Sequence, residues 1–167
     1  MKKIKTEHVV FALYIAVLLW LILFKLAFRF EDILSLAGER RVNLIPFYYD
    51  NEVNIRHHIK EAVMNFFVFI PFGFYLCAFG LSFKKGILAA VSTSLTLELI
   101  QLAFAIGGAD ITDLITNTLG ALFGILIFIA FVKIFKNEKR IVKFINTVAI
   151  IGFSLFFALM AVLIIAN

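Results

Sequence analysis

Five apolar stretches, each about 20 residues long, decide what this chain can fold into. They run His8–Phe28, Glu61–Leu81, Gly86–Ile106, Asp113–Phe135 and Val142–Ala166. A helix rises about 1.5 Å per residue, so each stretch matches the roughly 30 Å hydrocarbon core of a bilayer. The third is the most broken, by Ser92, Thr93, Ser94, Thr96, Glu98 and Gln101. Of 167 residues, 63% are apolar and 16% charged, with a mean hydropathy of +1.03. Soluble domains are about 45–50% apolar and about 25% charged. A fold of this size has too little interior to hide the difference. A soluble enzyme, a disordered chain and a collagen-like fibre are excluded. The fold expected is an all-α, polytopic transmembrane helix bundle of about five spans, one domain over residues 1–167. The single cysteine excludes a disulfide framework, and Cys77 reads as a packing residue.

The net charge of +5 is no nucleic-acid signal, because the basic residues flank the apolar runs. With the N-terminus inside, Lys2, Lys3, Lys5, Lys84, Lys85, Lys133, Lys136, Lys139, Arg140 and Lys143 all lie inside, ten against six outside. The expected topology is N-in, C-out, in a bacterial cytoplasmic membrane. The first stretch is too long for a signal-peptide core and has no clear cleavage site, so it reads as an uncleaved anchor. The segment Arg29–Lys60 carries five basic and five acidic residues. Its Phe30, Ile33, Leu34, Leu44, Ile45, Phe47, Tyr48 and Tyr49 suit the outer headgroup level, with a short helix expected near Glu31–Gly38.

Polar groups inside the spans carry the functional signal. A carboxylate at mid-membrane costs about 2.5–3.5 kcal/mol on insertion scales, which makes Glu98, roughly 12 Å below the outer end of its span, a candidate site residue. Ser94 and Gln101 share its helix face, at positions four back and three on. Asp110, Asp113, Asn117, Gly120 and Gly124 repeat the pattern with 3-4-3-4 spacing. Asn65 lies about one turn inside the second span. In the expected topology these polar groups fall in one outer slab, forming an outward-facing site of Asn65, Glu98, Gln101, Asp110, Asp113 and Asn117. Because the amides around Glu98 are neutral, its carboxyl is expected to be protonated. The bland alternatives are interhelical hydrogen bonding for the amides, dipole complementation for Asp110 and Asp113, and close helix packing for Gly120 and Gly124. Pro71 reads as a kink. His57 and His58 have no nearby Cys or spaced partner, and neither a metal nor a cofactor is expected.

Together these motifs resemble the VanZ-like family: Asn43-Leu44-Ile45-Pro46-Phe47, Asn65-x-x-x-Phe69-x-Pro71-Phe72-Gly73, Glu98-x-x-Gln101, and Asp110-Ile111-x-Asp113-x-x-x-Asn117-x-x-Gly120-x-x-x-Gly124. The resemblance covers residues 43–130 and marks Pro46, Pro71, Phe72, Gly73, Gly120 and Gly124 as structural. One departure stands out. Family members often carry Arg three residues before the first Asp of the last motif, where this chain has Gly107. Arg40, Arg41 and Arg56 are the cations available in the outer segment to replace it.

The resemblance implies reduced susceptibility of a Gram-positive cell to lipoglycopeptides such as teicoplanin. The expected partners are membrane lipid and a lipid-like or lipoglycopeptide ligand, and no nucleic acid. The alternative is a membrane enzyme acting on a lipid or lipid-linked cell-wall intermediate through Glu98, Asp110 and Asp113. Against it, the cluster has no activated Ser, Cys or His. An ion-coupled transporter accounts for the buried carboxyls but lacks the usual inverted repeat. A pure scaffold predicts that Glu98→Gln leaves function intact.

Overall fold

The structure is a computed structural model that describes residues 6–24, 41–48 and 52–166. Among these residues, five helices carry the fold: α1 (Thr6–Phe24), α2 (Glu52–Ala78), α3 (Phe83–Phe104), α4 (Ile111–Phe135) and α5 (Glu138–Ala166). Two short strands, β1 (Val42–Asn43) and β2 (Ala109–Asp110), pair in parallel. Helices α1 to α4 are each long and apolar enough to cross a membrane. The fifth expected span falls on α5, whose side chains are described only in part. The chain is therefore an all-α membrane bundle. The short helix expected near Glu31–Gly38 lies outside the described residues.

One boundary needs correcting by more than a turn. Helix α2 begins at Glu52, nine residues before the expected start at Glu61. Residues 52–60 are too polar to count as span, yet they contain no Pro or Gly to stop a helix. The extension places Glu61 between two imidazoles, 3.3 Å from His57 Nε2 and 3.5 Å from His58 Nδ1. The two histidines thus do have a neighbour at helical spacing.

Helix directions follow from residue pairings. His8 stacks on Phe79 and Phe11 lies against Tyr75, while Tyr14 Oη donates to Val68 O at 2.6 Å, so α1 and α2 are antiparallel. Gly120 meets the Phe66 carbonyl and Gly124 the Ile70 carbonyl, so α2 and α4 run in the same direction. Helix α3, which joins them in the chain, runs antiparallel against α4, pairing Gly86 with Ile125 and Ser94 with Asn117. Lipid tails are as apolar as leucine, so close contact rather than water exclusion must hold such helices together. A Cβ at Gly73 would collide with the Ala121 carbonyl, and one at Gly120 or Gly124 with the carbonyl it faces. Absence of a side chain at these three positions lets α2 and α4 pack backbone to backbone.

Helix α2 continues through Pro71, whose missing N–H is tolerated inside a bundle. Tyr75 Oη donates to Asn146 Oδ1 at 2.6 Å and ties α2 to α5. Cys77 is buried with Phe74, Ile125, Phe128 and Ile141, as a packing residue would be.

Candidate functional site

The site is built where the 41–48 strap meets the start of α4. Residues 41–48 come ahead of α2 in the chain but dock on the turn between α3 and α4. Val42 pairs with Ala109 and Asn43 with Asp110, and Ala109 N donates to Arg41 O at 2.8 Å. Gly108 permits this approach, since a Cβ there would sit 3.0 Å from the Arg41 carbonyl oxygen. Asn43 works in both directions. Its Nδ2 donates to Asp110 Oδ2 at 3.1 Å, and its Oδ1 accepts from Ile45 N at 3.1 Å.

The strap then turns. Tyr48 N reaches back to Ile45 O at 3.4 Å, with Pro46 and Phe47 at the two central positions. Pro46 pre-sets its own φ, and the next residue must take a positive φ in a type II turn. Phe47 does so at φ 55, a conformation that costs a side-chain-bearing residue about 1–2 kcal/mol. A hydrogen bond from Phe47 N to Thr112 Oγ1, 3.0 Å long, holds it there.

Asp110 is the hub. It is the N-cap of α4, with Oδ1 accepting from Thr112 N at 2.7 Å. Its Oδ2 accepts from Asn43, and its own N–H donates to Glu98 Oε2 at 2.8 Å. One residue thereby joins the strap, the start of α4 and the deep carboxyl of α3. Asp113, half-buried one turn further on, adds negative charge where the helix dipole is positive.

Below the hub runs the α3–α4 seam. Glu98 is 3% exposed, Gln101 2% and Asn117 0%. Asn117 Nδ2 donates to Ser94 Oγ at 2.9 Å. Gln101 Nε2 donates to the Ile22 carbonyl of α1 at 3.1 Å, which fixes the side-chain amide's orientation. The other amide oxygens, Gln101 Oε1 and Asn117 Oδ1, are buried and accept no hydrogen bond. Leaving such an acceptor without a donor costs about 1–3 kcal/mol.

The structure thus brings Glu98, Gln101, Asp110 and Asn117 onto one seam, with Asp113 at its mouth. Asn65 is buried on α2, where its neighbour Phe66 packs on Gly120, and no described hydrogen bond joins it to the seam. Asn43, Thr112 and the Ile22 carbonyl belong to the assembly although sequence reasoning gave them no role there. For Thr112, the Asp-x-Thr spacing at a helix start was an available signal. Where the family often has Arg, Gly107 lies beside the Gln101 amide, 3.5 Å from Nε2 to a Cβ placed there. Among the described residues, no three His, Cys, Asp or Glu side chains come together to hold a metal ion.

Beside the hub opens an apolar groove of about 420 Å³, lined by Phe47, Ile59, Val63, Phe66, Phe67 and Thr116. Ile59, Val63 and Phe67 are exposed on the span surface of α2, so the groove opens toward lipid.

The family model described as VanZ/LLP1 matches residues 11–136. Among curated proteins, the chain is 37% identical over 145 residues to Protein VanZ of Enterococcus faecium, covering 84% of this chain and 83% of that protein. No solved structure matches the chain.

Proposed function

This membrane protein belongs to the VanZ/LLP1 family, and on that footing we propose that it lowers the susceptibility of a Gram-positive cell to teicoplanin-type lipoglycopeptides. In this reading the protein sits in the cytoplasmic membrane with its N-terminus inside. The hub of Asn43, Glu98 and Asp110 then faces outward, where it takes the polar head of an amphipathic ligand. The ligand is a lipid, a lipid-linked cell-wall intermediate or the lipoglycopeptide itself.

One observation carries the reading. A polar hub and a lipid-facing apolar groove share the strap as their common wall, through Asn43 on one side and Phe47 on the other. An amphiphile needs such a pair of adjacent surfaces, one wet and one dry. A scaffold has no need to spend a strained turn on holding an aromatic ring at a groove.

The test is drug susceptibility in a susceptible Gram-positive host. Wild type, Glu98→Gln and the double variant Asp110→Asn/Asp113→Asn are expressed at matched membrane levels. Wild type is expected to raise the minimal inhibitory concentration of teicoplanin selectively over vancomycin, and the carboxyl variants to lose that rise. Unchanged values for both drugs in the wild-type strain would overturn the proposal.

A further inference from the structure

We infer that the groove docks a phosphate-bearing membrane lipid, with its apolar chain between Phe47 and the exposed ridge of α2 and its phosphate on Arg56 and Lys60. The inference rests on the reading above that the groove takes the apolar part of an amphiphile, and it names the class of that amphiphile. Any further polar part of the head is left to the hub.

Helical spacing ties the two cations to the groove. Arg56, Ile59, Val63 and Phe66 follow one another at steps of three, four and three, and Lys60, Val63 and Phe67 at steps of three and four. Residues so spaced share a helix face, and α2 is unbroken from Glu52 to Ala78. Ile59, Val63, Phe66 and Phe67 line the groove. Arg56 and Lys60 therefore stand on the groove's own face, in the first turns of the α2 span. Both are exposed, and among the described residues neither has an ion-pair partner. The neighbouring acid, Glu61, is turned away. It lies about 140° round the helix from Arg56, at about 100° per residue, and its carboxylate faces His57 and His58 at 3.3 and 3.5 Å.

The occupant follows from the two surfaces together. Ile59, Val63 and Phe67 are exposed where the groove opens, so its ligand enters from the bilayer. An alkyl chain suits walls of Phe, Ile and Val. Unpaired cations at the end of a span attract the phosphate of a lipid head, Arg through a fork of parallel N–H donors and Lys as a point charge. Inorganic phosphate meets only the cations, and a neutral glyceride meets only the walls. A lipid carrying both a chain and a phosphate meets both.

The experiment uses the full chain in detergent micelles, titrated with dioleoylphosphatidylglycerol, dioleoylglycerol or inorganic phosphate, with bound ligand counted by native mass spectrometry. The wild type is expected to retain one phosphatidylglycerol per chain, about thirtyfold more tightly than dioleoylglycerol. Inorganic phosphate at the same concentration should not displace it. Arg56→Gln/Lys60→Gln should lower phosphatidylglycerol to the level of the glyceride. Lys139→Gln/Arg140→Gln, which removes the same charge at the opposite end of the bundle, should keep the preference. Val63→Trp, at an exposed position, fills the groove and should weaken both lipids. Equal retention of the two lipids by the wild type would overturn the inference and leave the amphiphile reading standing, as would an undiminished preference in the Arg56/Lys60 variant. Retention of neither lipid would overturn both, whereas loss of teicoplanin protection in cells with lipid binding intact would count against the resistance reading alone.

Discussion

Asp110 donates its backbone N–H to Glu98 Oε2 across 2.8 Å, so the deepest carboxyl of α3 positions the residue that caps α4. The bond crosses a turn in which each residue type has a local job. Ala105 ends α3 in the left-handed region at φ 53, Gly108 admits the strap, and Asp110 restarts the chain as a helix. A helix start inside a membrane has free N–H groups and little water to satisfy them. Side-chain caps there matter more than on a soluble surface.

Asp110→Ala removes both the cap and the acceptor for Asn43. We expect it to destabilise the protein by about 1–2 kcal/mol. Asp110→Asn keeps an oxygen for Thr112 N and should recover most of that loss. Thermal melting of the two variants in the same detergent checks the order.

The close α2–α4 contact makes an equally sharp prediction. Gly120→Ala and Gly124→Ala each place a methyl group against a backbone carbonyl of α2. Backbone cannot step aside as a flexible side chain can, so the helices must separate along their whole contact. Both variants should lose the monodisperse peak in size-exclusion chromatography, while Gly152→Ala should elute as wild type.

Much of this was legible in the sequence, for a definite reason. Helical spacing tells which residues share a face, so the Ser94–Glu98–Gln101 stripe and the Asp110–Asn117–Gly124 stripe could be read directly. What a stripe faces is not encoded in spacing. Gln101 could be placed on a polar face, but its partner is the Ile22 main-chain carbonyl, and every residue carries one of those. Asn43 stood in a recognisable motif without a role, because its partner Asp110 lies 67 residues away and is reached through a two-residue ladder. Such a ladder is too short to leave an alternating pattern. The start of α2 was missed because polarity marks the end of a span, not the end of a helix.

The strap should open when its tether is cut. Thr112→Val keeps the shape of the side chain and removes the oxygen that accepts from Phe47 N. A net hydrogen bond contributes about 1 kcal/mol, so exchange of the Phe47 amide with deuterium should speed up about fivefold. Phe47→Gly relieves the positive φ and should stabilise the turn, even as it empties one wall of the groove. Hydrogen–deuterium exchange of the peptide spanning residues 41–48 measures both effects.

Helix α5 is joined to α2 by the bond between Tyr75 and Asn146, both buried. Polar pairs between membrane helices average about 0.6 kcal/mol and reach about 1.7 kcal/mol. A double-mutant cycle of Tyr75→Phe and Asn146→Leu should give a coupling energy in that range. A coupling near zero would mean that α5 is held by its apolar face alone.

Glu98→Gln separates a structural carboxyl from a functional one. Glutamine has nearly the same shape and keeps an oxygen able to accept from Asp110 N, so the cap of α4 should survive. Thermal melting should therefore stay within about 1 kcal/mol of wild type. What the substitution removes is the ionisable oxygen, and with it any charge the seam presents to a bound head group. Unchanged melting with loss of teicoplanin protection assigns Glu98 to function. Unchanged melting with protection retained reduces it to a hydrogen-bond acceptor, which a neutral amide serves equally well.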